Sequence, residues 1–190
     1  TVFVSTSMPI YCNALAEGAG LSAVSYLAYG GYAVSASTIL VALLGPTIGT
    51  FSDLRGWKKP IFLISLLIGA VGCVLLGILQ SWLWFLLLFI LAKSAYSLIL
   101  VLYDSMLIDV TTEARMDQVS SHGYAWCYIG SCIPFVLGLA LVLCYDAIGL
   151  SMGLSMGLAF ALIAIWWVLL SLPLLKSYRQ NHYVESCEKP

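Results

Sequence analysis

The chain has 190 residues, of which 62% are hydrophobic and 9% charged, and a formal net charge of -1. A soluble domain carries roughly 25% charged residues, so a water-facing globule is excluded and a lipid solvent is implied. At about 20 apolar residues per crossing, the length accommodates six helices and no separate soluble domain, and the small net charge offers nothing to a nucleic acid.

Hydropathy and helix breakers predict an all-α membrane protein. Its bundle of six transmembrane helices lies at about 1–16, 23–53, 60–79, 82–109, 119–145 and 149–175, and a polar tail follows over about 176–190. The alternation of a membrane β-barrel is absent. The lipid bilayer is therefore the first partner.

The first span opens TVFVSTSMPIYC, without a methionine or a charged leader, so the chain is expected to begin inside a helix. Ser5, Ser7, Pro9 and Asn13 interrupt its apolar run. They suit either a helix lining a watery cavity, with Asn13 touching solute, or polar packing between helices. In the second span Tyr26, Tyr29 and Tyr32 recur every third residue. Tyr29 could donate a hydrogen bond to a polar solute, although an aromatic belt at the lipid boundary is the preferred account of the set.

The connection after the second span reads GPTIGTFSDLRGWKKP from Gly45 to Pro60. Gly49 is expected to offer a flat face to a neighbouring helix and Gly56 to permit a tight reversal. Asp53 can meet a helix N-terminus or a cation. Arg55, Lys58 and Lys59 supply positive charge that can reach carboxylates on adjacent helices. The chemistry is that of a conformational latch.

The fourth span carries Lys93, the one basic residue inside a hydrophobic stretch. It stands eleven residues from Trp82, which at 1.5 Å each is about 16 Å into the helix, near the bilayer midplane. A charge there costs at least about 3 kcal/mol unless it meets water or a partner. Lys93, Tyr96, Leu100 and Asp104 share one helix face. Lys93 and Tyr96 are thus candidate contacts for an anionic solute, or Lys93 pairs with a proton-coupling carboxylate. A structural lysine packed on backbone carbonyls is the alternative.

In the fifth span Tyr128 is a further candidate donor, in the series Tyr124, Trp126, Tyr128. Pro134 is expected to kink that helix, and His122 at its start is read as passive. Glycines at Gly45 and Gly49, Gly69 and Gly72, Gly123 and Gly130, and Gly149, Gly153 and Gly157 are spaced for close helix packing in lipid. The cysteines lack ligand spacing, so no disulfide framework, metal or cofactor is expected.

Seven of the eight basic residues fall on one side of the predicted bundle: Arg55, Lys58, Lys59, Arg115, Lys176, Arg179 and Lys189. The opposite connections hold none. The positive-inside rule assigns the basic side, and with it the C-terminal tail, to the cytoplasm of an inner or plasma membrane.

The 45–60 connection resembles the loop between helices two and three of the major facilitator superfamily, GxxxDxxGxKK in the form it takes here. Leu54 and Trp57 stand where arginines are frequent in that family. The stretch DSMLIDVTTEAR, from Asp104 to Arg115, is similar to the superfamily's helix-four end. That likeness implies that Asp109 pairs with Arg55 or Lys59 and that Arg115 joins the same network. Tyr103-Asp104-Ser105 and the run from Val119 to Gly130 resemble the branch of autophagy-related vacuolar amino-acid effluxers and their bacterial relatives. The acidic-tryptophan start of that branch's first helix is absent.

The resemblance implies the N-terminal half of a twelve-helix fold. The second six-helix half would be supplied by the same chain continued, with 176–190 as a central linker, or by a second copy. It also implies a secondary transporter of a small solute, such as an amino acid or other small organic anion or zwitterion, working by alternating access. The alternative is a membrane scaffold or receptor that keeps a half-transporter fold without transport. An enzyme is not expected, because there is no HExxH and no pair of mid-membrane acids.

Overall fold

A computed structural model describes residues 23–78 and 81–181. The predicted span at 1–16, Asn13 within it, and residues 182–190 lie outside the described residues.

The described chain is helical: α1 (Ala23–Ser52), α2 (Lys58–Ile78), α3 (Trp82–Val110), α4 (Met116–Leu143), a single turn α5 (Tyr145–Ile148) and α6 (Met152–Ser177). The five long helices are each long and apolar enough to cross a membrane, and they coincide with predicted spans two to six apart from small shifts at their ends. α2 starts at Lys58 rather than at Pro60 because a proline in the first turn forfeits no helical hydrogen bond. α4 starts at Met116 because a 3-10 turn, Glu113–Arg115, feeds directly into it. After α5 the backbone reverses at Gly149, φ 72°. Ser151 then caps α6, its hydroxyl accepting from the Leu154 N–H at 3.3 Å.

α3 packs along both α1 and α2, α2 also along α6, and α6 along α4, so the order across the bundle is α1, α3, α2, α6, α4. α2 and α3 form the centre, and α1 and α4 stand at the margins, mostly exposed. One buried cluster joins Leu76, Phe85, Phe89, Met156 and Phe160. A second, nearer the basic end, joins Phe62, Leu66, Leu102, Met106 and Tyr178. The opposite face of α2, with Ile64, Leu67, Ile68 and Val71, is exposed, as suits a helix whose solvent is hydrocarbon.

Lipid supplies no hydrophobic push between apolar helices, so they must approach closely and exchange polar bonds. A Cβ on Gly77 would come within 2.5 Å of the Gly157 Cα, and one on Gly72 within 3.2 Å of the Ala92 Cβ. Polar ties reinforce these contacts. Ser155 donates to the Leu141 carbonyl, and the Trp166 indole N–H donates to the Gly130 carbonyl at 3.0 Å. Gly45 and Gly49 behave otherwise. Nothing among the described residues lies within 4 Å of where their Cβ atoms would be, so no described residue makes the flat contact expected at Gly49, and α1 buries Ala33 and Ser37.

The Gly77 contact is testable. Gly77→Val forces α2 and α6 apart and should cost about 1–3 kcal/mol, as overpacking does, seen as a lower unfolding temperature in detergent. Gly45→Ala, in open space, should unfold at or above the wild-type temperature.

Candidate functional site

The reversal over 53–57 turns α1 into α2. Its backbone is held by Asp53 N–H to the Gly49 carbonyl at 3.1 Å, Leu54 N–H to Phe51 at 3.3 Å and Trp57 N–H to Leu54 at 3.2 Å. Gly56 takes φ 78°, a left-handed conformation that a side chain would strain. Asp53, Arg55 and Trp57 face outward.

The reversal delivers Lys58 into the bundle. Its ammonium lies 3.2 Å from the Asp109 Oδ2 at the end of α3, with side-chain exposures of 4% and 0%, and also donates to the Ser105 carbonyl at 3.3 Å. The ion pair at Asp109 therefore comes from Lys58, where the family resemblance implied Arg55 or Lys59. Helix geometry explains the difference. Lys58, Phe62, Ser65, Leu66 and Gly69 are the buried stripe of α2, whereas Lys59 is rotated by about 100° from it and places its ammonium 6.0 Å over the ring of Tyr178. Arg115 ends the 3-10 turn in an exposed position, and no ion pair is found for it among the described residues.

The rest of the Asp109 complement comes from the segment that leaves α6. Tyr178, the C-cap residue, donates its hydroxyl to Asp109 Oδ2. Asn181 donates its backbone N–H to Oδ1 at 3.1 Å and its side-chain amide to the Asp109 carbonyl at 2.9 Å. Gln180 binds the reversal itself: its amide nitrogen donates to the carbonyls of Ser52 at 3.3 Å and Leu54 at 3.2 Å, and its oxygen accepts from the Gly56 N–H at 2.8 Å. Burial first, then the hydrogen bond to Asp109 and that residue's negative charge, push the Tyr178 phenol well above its ordinary pKa, so it remains a donor. Sequence reading placed these residues in a polar tail. Their signal was a run of four large hydrogen-bonding side chains, Tyr178 to Asn181, with no glycine, serine or proline among them.

The mid-membrane candidates are more dispersed. Lys93 is partly buried on α3, its ammonium 6.0 Å over the Phe89 ring, and no ion pair is found for it among the described residues. Tyr96, one turn on, packs its ring against Trp167 of α6 at 5.6 Å. Tyr29 stacks on Trp82 at 5.4 Å, the placement of a boundary aromatic. Tyr128 is on α4, 68% exposed. No hydrogen bond or ring contact among the described residues joins Tyr29 or Tyr128 to Lys93. Asp104, on the Lys93 face, accepts from the Tyr124 hydroxyl at 2.7 Å, while the Tyr103 and Tyr124 rings meet edge to face at 6.3 Å. This polar tie bridges α3 and α4, which otherwise scarcely touch.

Among known proteins, the family model described as "Vacuole effluxer Atg22 like" matches residues 18–188. The chain is 36% identical over 190 residues to the uncharacterized MFS-type transporter YxiO of Bacillus subtilis (strain 168), a match covering 97% of this chain and 44% of that protein. The chain thus spans less than half the length of this relative. No solved structure matches it.

A buried pair that loses one partner leaves the other charge uncompensated, at a cost of about 3–5 kcal/mol. Lys58→Met and Asp109→Leu should each destabilise the protein in detergent by that order. The double variant should be less destabilised than the sum, so an additive double-mutant cycle would show that the pair is not coupled. Gln180→Ala removes three bonds to the reversal and should speed amide hydrogen exchange at Gly56 while leaving the middle of α3 unchanged.

Proposed function

We propose, on the premise that this chain belongs to the Atg22-like vacuole effluxer family and is related to the major facilitator transporters, that it forms one bundle of a secondary active transporter. The transporter moves a small solute by alternating access, this bundle rocking against a second six-helix half that is the same chain continued or a second copy.

The observation that carries the reading is the polar knot at the basic end. A transporter of this kind needs an end that closes in one state and releases in another, and that calls for an element with two discrete arrangements. An ion pair with directional hydrogen bonds serves better than a continuous apolar core, because each bond is either made or lost. The Lys58–Asp109 pair, fastened to residues 178–181, has that character. Asp53, Arg55, Lys59 and Arg115 surround it as the further charges of the latch, and Gly49 and Gly56 shape the reversal that carries them. The concentration of Lys and Arg at this end supports a cytoplasmic position for it and for the end of α6.

The solute is an amino acid or another small organic anion or zwitterion. Lys93 is the contact for its carboxylate, as the mid-span cation without a bonded acid among the described residues, and Tyr96 stands one turn along. Tyr128 and Asn13 are secondary polar contacts. Tyr29 keeps the weakest claim, since its ring is engaged with Trp82.

In vesicles reconstituted with the full-length protein, Lys93→Ala should lower solute flux about tenfold or more, the scale of losing a charge-assisted hydrogen bond, with unchanged expression. Wild-type kinetics in that variant would remove Lys93 from the site. Asp53→Asn should shift the balance of inward-open and outward-open states, read as altered labelling of single cysteines placed on the two sides; identical labelling would separate Asp53 from the latch.

A further inference from the structure

Beside the Lys58–Asp109 pair runs an open groove of about 580 Å³, walled by Arg55, Gly56 and Lys59 on one side and residues 178–181 on the other. We propose that this groove binds the phosphate of an anionic phospholipid headgroup. The inference does not rest on transport, since it concerns a groove at the basic end rather than the path of a solute.

Charge is the first ground. Among the described residues that line the groove, Arg55, Lys59 and Arg179 are cations and none is an acid. The Asp109 side chain is buried and engaged by Lys58, Tyr178 and Asn181, so it does not neutralise the groove wall. Clusters of basic residues at the ends of membrane helices attract anionic headgroups.

Order is the second. Arg179 lies between Tyr178 and Gln180, both held by hydrogen bonds to Asp109 and to the reversal, so its backbone is set in place. The Lys59 ammonium is held over the Tyr178 ring at 6.0 Å. The amide donors of Gln180 and Asn181 already face protein acceptors, which leaves the Arg179 guanidinium and the Lys59 ammonium to recognise the ligand. Guanidinium matches phosphate oxygens in a two-pronged geometry.

Position decides between a lipid and a soluble anion. The groove sits where α2 begins and α6 ends, and Trp57, next in sequence to Gly56 of its wall, is 55% exposed. Aromatic side chains in such places lie at headgroup level, and an acyl chain leaving a bound headgroup would run along the exposed apolar surface of α1 or α2. The volume suits a group as large as phosphoglycerol.

The test uses the full-length protein in an uncharged detergent, titrated with dioctanoyl phosphatidylglycerol, dioctanoyl phosphatidylcholine or inorganic phosphate and read by native mass spectrometry. Saturable binding of phosphatidylglycerol in preference to phosphatidylcholine is expected, without displacement by equimolar inorganic phosphate. The pair of substitutions Lys59→Gln and Arg179→Gln should weaken it about tenfold or more. Lys176→Gln, an exposed cation at the end of α6 outside the groove, should bind as wild type. Arg179→Gln alone, at an exposed position, serves if the double variant unfolds early. Equal binding of the two lipids, unchanged affinity in the groove variants, or an equal loss in Lys176→Gln would overturn the site. Displacement by inorganic phosphate would overturn the lipid assignment in favour of a soluble anion.

Discussion

Asp109 has no exposed side-chain surface, and an ionised carboxylate shut away from water must find its whole hydrogen-bond complement in protein. That single requirement organises the basic end. It draws Lys58 inward at the start of α2, and it calls Tyr178 and Asn181 back under the bundle from the end of α6. Three elements distant in sequence, the 53–57 reversal, the last turn of α3 and the segment after α6, thereby become one polar unit. Gln180 extends the unit to the backbone of the reversal, so that Gly56 is held by its conformation and by a bond to its N–H.

The rest of the bundle tolerates this concentrated polar knot because it is assembled by a different rule. Away from the basic end, helices meet through missing side chains: Gly77 on Gly157, Gly72 on Ala92. Polar ties add to these contacts, as Trp166 does at the Gly130 carbonyl. The centre of α2 and α3 is therefore tightly joined along its length. α4 depends on α6 and on the Asp104–Tyr124 bond, and α1 on α3.

In the proposed transporter the two candidate regions divide the labour by dielectric. At mid-membrane a cation such as Lys93 is costly, which is the ground for proposing it as the attractor of an anionic solute. At the membrane boundary water competes for every charge, and only the buried pair retains its full strength; the surrounding arginines and lysines act through their summed field. The same position that makes Arg55, Lys59 and Arg179 weak as individual bonds makes them effective as a headgroup groove.

The sequence by itself determined the solvent, the helices and the identity of the charged end. Apolar runs of membrane length leave no other fold, and GPTIGTFSDLRGWKKP with Asp109 and Arg115 marked the basic end before any contact was known. Lys93 was legible for the same reason, because a charge in an apolar run stands out. Tertiary structure alone decided which cation reaches Asp109, since Lys58 and Lys59 are adjacent in sequence but about 100° apart around a helix. It also decided that Gly77 carries a close helix contact, with Gly157. The role of residues 178–181 was hidden most deeply. A polar segment after the last helix has the same composition whether it trails in water or folds back to complete a buried carboxylate, and only the position of Asp109 in space distinguishes the two.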